Sequence, residues 1–202
     1  MEDSYVLELL EPKFKDFHLV YCGYAQCEAR HSYGPATRPN YIIHYILEGK
    51  GVYQVGGRKY QLSAGQGFLI EPETLTFYQA DKDEPWSYLW VGVGGTEAEK
   101  YIQDIGLNSS QLIFQYEQGE RLKKIVLEML KHTRVTVANL YYLQGQLYDF
   151  FSALTEDDVI DSCVDISKES VYIQEAVTFI RNHYSRGLNV ADIAKHMNVN
   201  RS

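Results

Sequence analysis

The hydrophobic period of this chain changes near residue 95, so strands and helices are expected on opposite sides of that point. From Phe17 to about Val93 the text is a series of short runs rich in β-branched and aromatic residues: "FHLVYCGYA", "YIIHYIL", "GVYQVGGRKYQL", "GQGFLIEP", "TLTFYQA" and "WSYLWVGV". Gly65, Pro72 and the acidic "DKDEP" punctuate them, and Gly56-Gly57 supplies the positive φ that a two-residue hairpin needs. Strands this short and closely spaced leave many unpaired edges unless the sheet closes, so the pattern predicts a barrel or jelly roll.

Beyond that point apolar residues recur every three or four positions. "TEAEKYIQDIGL" puts Ala98, Tyr101, Ile102 and Ile105 on one helix face and stops near Gly106. Leu122, Ile125, Val126, Met129 and Leu130 repeat the spacing, and Leu140, Leu143, Leu147, Phe150 and Leu154 form a coiled-coil-like seam. Such a stripe serves either a second copy of the chain or the barrel itself, and spacing leaves both open. The seam is assigned here to dimerisation. "TEDDVIDSCVDISKES" is polar and reads as a linker. After it, Ile173, Ala176, Val177, Ile180 and Tyr184 line one face of a further helix. Asn189 is placed to cap the next one, with Asp192 at its positive end. Ile193, Met197 and Val199 would bury against the preceding helix, and "NVN" would turn into a helix opened by "RS". The predicted layout is a β + α chain. A barrel with a short helix spans 1–106, a helical dimerisation region 107–156, a linker 157–168 and an incomplete helix-turn-helix 169–202.

Nineteen basic and 27 acidic residues give a net charge of −8, a poor footprint for nucleic acid, so DNA contact must come from a local patch or from residues beyond the chain. Cys22, Cys27 and Cys163 lack metal spacing and fit buried thiols of a reducing compartment. The acidic first residues lack an apolar leader, and no run approaches membrane-spanning length. A cytoplasmic protein without membrane contact is expected. Tyrosine is abundant at 17 residues, which suits strands and a site with apolar walls and polar tips.

Two stretches then carry a resemblance. "RNHYSRGLNVADIAKHMNVNRS" resembles the start of the DNA-binding domain of the AraC/XylS transcription regulators. "RPNYIIHYILEGKGVYQVGGRKYQLSAGQGFLIEPETLTFYQADKDEPWSYLWVGVGG" is similar to that family's cupin-type effector domain, within the branch regulating raffinose, melibiose and multiple-sugar operons. The resemblance implies a cupin-like jelly-roll barrel, a homodimer, a small-molecule sugar effector and operator DNA as the partner of the intact regulator. It also implies two helix-turn-helix units, so the chain is expected to stop inside the first, where Asn198, Asn200, Arg201 and Ser202 would begin the DNA-reading surface.

Cupin enzymes hold a metal through histidines and a glutamate. The matching positions here are Ile42, His44 and Glu48, and "EPETLTFY" offers no further histidine, so neither a metal nor any other cofactor is expected. His18 and His31 lie outside the motif. There is no nucleophile elbow, phosphate loop or Cys/His signature, so no enzyme is expected. A sugar instead wants an aromatic wall and fixed polar groups. By the resemblance, Trp90 and Tyr78 stand where the family stacks on and hydrogen-bonds a monosaccharide. Trp86 lies four residues from Trp90, on the same face of a strand. Arg38, in the loop "GPATRPNY", offers a fork of donors to sugar oxygens. Tyr24, His44 and Tyr53 complete the candidates, each suited to a structural role ahead of ligand binding. The expected function is a sugar-responsive transcription regulator, an activator, whose effector resembles raffinose or melibiose. A metal-dependent cupin enzyme and a dimerisation module with a filled barrel are the alternatives.

Overall fold

The computed structural model describes residues 3–10, 12–155, 168–183 and 189–197, which fall into two compact units dividing at residues 163/164. The first unit is built on two antiparallel sheets. One has six strands in the order β1 (Asp3–Glu8), β2 (His18–Gln26), β9 (Ser87–Gly94), β4 (Tyr41–Glu48), β7 (Gln66–Ile70) and β10 (Ile113–Gln115). The other has four, in the order β3 (Ser32–Ala36), β8 (Thr76–Ala80), β5 (Lys50–Val55) and β6 (Arg58–Ser63). This is the double-sheet barrel that the spacing of short strands implied. The β5–β6 hairpin turns through Gly56 and Gly57 at φ 54° and 77°, a conformation a side chain would strain.

Three strands differ from the sequence expectation. β1 lies in the acidic N-terminal stretch, β3 in the loop that carries "SYGPA", and β10 inside the region read as helical. β10 is only three residues long and pairs with β7, too short for any periodicity to announce it.

The six-stranded sheet is covered on both faces. Leu7, Cys22, Val91, Ile43 and Leu69 form one lateral row across it, all buried. Burial on both faces is why "YIIHYILE" reads as a continuous apolar run rather than an alternating one. The outer face packs against α2 (Gly119–Met129) and α3 (Val137–Thr155), while α1 (Ala98–Asp104) buries Ala98 and Ile102. Gln144 of α3 donates to the Phe17 carbonyl at 3.0 Å, and the Tyr45 hydroxyl donates to the Tyr116 carbonyl at 2.8 Å.

The seam assigned to a second copy is used up within the chain. Leu143, Leu147, Phe150 and Leu154 are all buried in the single chain, and half-buried Leu140 borders a crevice with Leu9 and Phe14. The physical reason is that the sheet's outer face needs an apolar cover, and these side chains supply it. Fully burying one such leucine stabilises by roughly 1.5–3 kcal/mol. The opposite side of α3 exposes Tyr141, Tyr142 and Tyr148.

In the second unit, α4 (Lys168–His183) is followed by α5 (Val190–His196). Asn189 and Asp192 make the reciprocal capping box: the Asn189 side chain accepts from the Ala191 and Asp192 amides, and Asp192 accepts from the Asn189 amide at 3.1 Å. Phe179 stacks on His196 with centroids 3.9 Å apart. Met197 is buried and Ile193 half-buried, whereas Ile173, Val177 and Ile180 are exposed. Tyr184, Asn198, Val199, Asn200, Arg201, Ser202, Cys163 and residues 157–167 of the expected linker lie outside the described residues.

Candidate effector-binding site

Between the sheets is a cavity of about 350 Å³, open to solvent on one side. Its lining follows from strand register. Lateral rows cross the inner face of the six-stranded sheet: Glu8, Tyr21, Gly92 and Ile42; then Val6, Gly23, Trp90 and His44; then Ser4, Ala25 and Tyr88. The facing sheet carries a tyrosine ladder, Tyr33–Tyr78–Tyr53–Tyr60, one residue from each of its four strands. Cross-strand aromatic pairs of this kind stabilise a sheet, and they account for four of the chain's 17 tyrosines.

Of the residues singled out from sequence, Arg38, Tyr78, Trp90 and His44 meet at this cavity. The Arg38 guanidinium carbon sits 4.0 Å from the Tyr33 ring centroid, a cation–π contact that orients its donors. Tyr33 in turn stacks on Tyr78 at 5.7 Å. His44 lies flat on Phe68, with centroids 4.5 Å apart and planes 1° apart, and its ring centroid is 6.4 Å from that of Trp90. Burial pushes the His44 imidazole down to about 3, helped by the charge of Arg38, so the ring is neutral at pH 7. Its Nδ1 is buried without a hydrogen-bond partner. Burial also pushes the Tyr78 phenol up to about 12, against the opposing effects of its hydrogen bond with Tyr88 and of Arg38. Tyr21 is raised for the same reason, so these phenols keep their protons and can both donate and accept.

Three candidates stand elsewhere. Trp86 shares the inner face with Tyr88 and Trp90 but is fully buried beneath the cavity, against Phe68 and Tyr88. Tyr53 is fully buried too, its hydroxyl donating to the Leu69 carbonyl at 2.8 Å. Tyr24 falls on the other parity of β2, in register with Tyr5 and Leu89, and so turns away from the cavity. Sequence reasoning missed Ser4, Val6, Glu8, Tyr21, His31, Tyr33 and Tyr88 as lining residues. The alternation in "SYVLE" is the signal that could have found the first three.

At the cupin metal positions, Ile42 and His44 face inward but Glu48 is exposed, past a register shift that begins at Ile46. Among the described residues, no three of His, Cys, Asp and Glu gather closely enough to hold a metal ion. What the cavity offers is a flat indole, two imidazoles of which His44 is held neutral, four phenols, one guanidinium and one carboxylate. That set suits a neutral polyhydroxylated ring, whose apolar face stacks while its hydroxyls are fixed by directed groups.

Fold and site together define a ligand-binding barrel joined to helices. Residues 18–139 match the AraC-like ligand binding domain. The chain is 34% identical over 193 residues to the Msm operon regulatory protein of Streptococcus mutans, covering 93% of this chain and 68% of that protein. It is 26% identical to the lactose operon transcription activator of Staphylococcus xylosus (95% of this chain, 70% of that protein). It is 28% identical to the raffinose operon transcriptional regulatory protein of Pediococcus pentosaceus (96% and 71%). Among solved structures, a cupin protein from Bacteroides fragilis is 24% identical, covering 41% of this chain and 70% of that one with a TM-score of 0.35. The chain belongs to the AraC family of transcription regulators, carrying its ligand-binding domain. Among the described residues no helix is long and apolar enough to cross a membrane.

Proposed function

We propose that this chain is the effector-binding and dimerising part of a cytoplasmic, sugar-responsive activator of a carbohydrate-utilisation operon. The effector is an α-galactoside such as raffinose or melibiose, held between the sheets with its apolar face on Trp90 and its oxygens on Arg38, Tyr78 and His44. The observation that carries the reading is the lining of the cavity: an indole and neutral polar tips opposite a guanidinium already oriented by Tyr33. The names of the lactose- and raffinose-operon relatives support a galactose-containing ligand. The cavity's work is binding rather than catalysis. The α4–α5 unit would begin the helix-turn-helix that reads operator DNA in the intact regulator. Dimerisation falls to the face of α3 left exposed, around Tyr141 and Tyr148, because the leucine seam is committed to the barrel.

Calorimetric titration of the wild type, Tyr78→Phe and Arg38→Ala with raffinose, melibiose, lactose, galactose and glucose tests the reading. A galactoside should bind, and Arg38→Ala should weaken it by roughly tenfold or more, the worth of one or two charge-assisted hydrogen bonds. A wild type that binds none of these sugars would refute the choice of effector. Equal affinity in all three proteins would remove the site from this cavity.

A further inference from the structure

Trp90 and Tyr21, two aromatic rings of the cavity's six-stranded wall, each lie over a glycine of the neighbouring strand. Gly23 pairs with Trp90 across β2 and β9, and a Cβ built on Gly23 would stand 2.1 Å from the Trp90 ring. Two residues along the same strand pair the arrangement is reversed: Tyr21 pairs with Gly92, whose added Cβ would stand 2.3 Å from the Tyr21 ring. Neither glycine has a positive φ, so backbone conformation does not demand a glycine at either position. What demands it is the ring. The same device recurs at Gly51 under Trp86 and Gly67 under Phe114, but those rings do not border the cavity, where it only fills space. At Gly23 and Gly92 the ring that fills the notch is also the ring the cavity exposes.

We propose that Gly23 and Gly92 are positioning residues of the effector site, notches that let Trp90 and Tyr21 lie flat on the sheet so that their faces form the platform on which the sugar stacks. This rests on the effector reading given above. An alanine at Gly23 leaves Trp90 roughly 1.4 Å inside ordinary carbon–carbon contact. The ring is half-buried at the cavity rim, so it moves outward into the cavity rather than breaking the core. A binding constellation tolerates displacement of only ~0.5 Å, so the sugar loses both its platform and part of its room. Substitution of a residue that never touches the ligand therefore silences the site while the barrel stays folded.

The test uses the whole chain labelled with 5-fluorotryptophan, which gives two fluorine resonances because the chain has two tryptophans, Trp86 and Trp90. Trp90→Phe assigns them. In Gly23→Ala the Trp90 resonance should shift while that of buried Trp86 stays in place, and affinity for the galactoside should fall at least tenfold. Gly92→Ala should produce a comparable loss. An unmoved Trp90 resonance, a moved resonance with unchanged affinity, or collapse of the Trp86 resonance to its position in the unfolded chain would each overturn the proposal. If the wild type binds no sugar, the effector reading falls on its own, and the placement of the ring by Gly23 is decided by the resonance alone.

Discussion

Replacing His44 with phenylalanine should remove a large part of the barrel's sensitivity to acid. The imidazole is 2% exposed, stacked on Phe68, and its folded-state value lies at about 3 against an unfolded value of 6.5. Between those values the unfolded chain binds the proton and the folded chain does not, so stability rises with pH across the window and is lost as pH falls through it. The full effect over the window is about 5 kcal/mol, and between pH 8 and pH 5 it is about 2 kcal/mol. Urea unfolding followed by tryptophan fluorescence reads the barrel specifically, because Trp86 and Trp90 both lie in it. Phenylalanine keeps the flat stack on Phe68 and cannot protonate. The wild type should lose about 2 kcal/mol more than His44→Phe on going from pH 8 to pH 5. Carboxylates elsewhere contribute to both proteins alike and cancel in the comparison. Equal losses in the two proteins would show that His44 is not held neutral by burial, and would undo the assignment of an uncharged imidazole to the cavity wall.

Further outcomes follow from the helices. Leu147→Ala should cost about 2–5 kcal/mol of barrel stability without altering subunit association, measured by urea unfolding and sedimentation, because that side chain is fully buried within one chain. Tyr141→Glu with Tyr148→Glu should instead leave a folded monomer, and an unchanged dimer in sedimentation would place association elsewhere. Asn189→Ala breaks the capping box and should weaken α5 by about 1 kcal/mol. Faster amide exchange from Ala191 to Met197 would report this, and unaltered exchange would contradict the capping argument.

Apart from β3, whose "SYGPA" reads as a loop, the strands from His18 to Gly94 were legible because they carry β-branched or aromatic residues between turn signals, with Gly56-Gly57 marking one hairpin outright. β1 was not, since "DSYVLE" is short, acid-flanked and buries few of its side chains. With it went Ser4, Val6 and Glu8, a whole edge of the cavity. Trp90 and Tyr78 could be singled out through the family resemblance, and Arg38 by its chemistry. Tyr33, Tyr21 and Tyr88 needed register: only strand pairing reveals that Tyr33 faces Tyr78 and that Tyr21 lies over Gly92. Tyr53 and Trp86 carry the same chemistry as their neighbours in the ladder and along the strand, and only their place beneath the cavity rather than on its wall separates core from site. The leucine stripe of α3 shows the same limit, because a period of three and four says that a face is covered and not by what.

On the effector reading the cavity between the two sheets holds the sugar. A crystal structure of the chain with a bound galactoside decides the matter. The pyranose ring should lie over the Trp90 indole, with Arg38 and Tyr78 within hydrogen-bond distance of its oxygens. A sugar found outside this cavity, or inside it with no contact to Trp90, would contradict the claim.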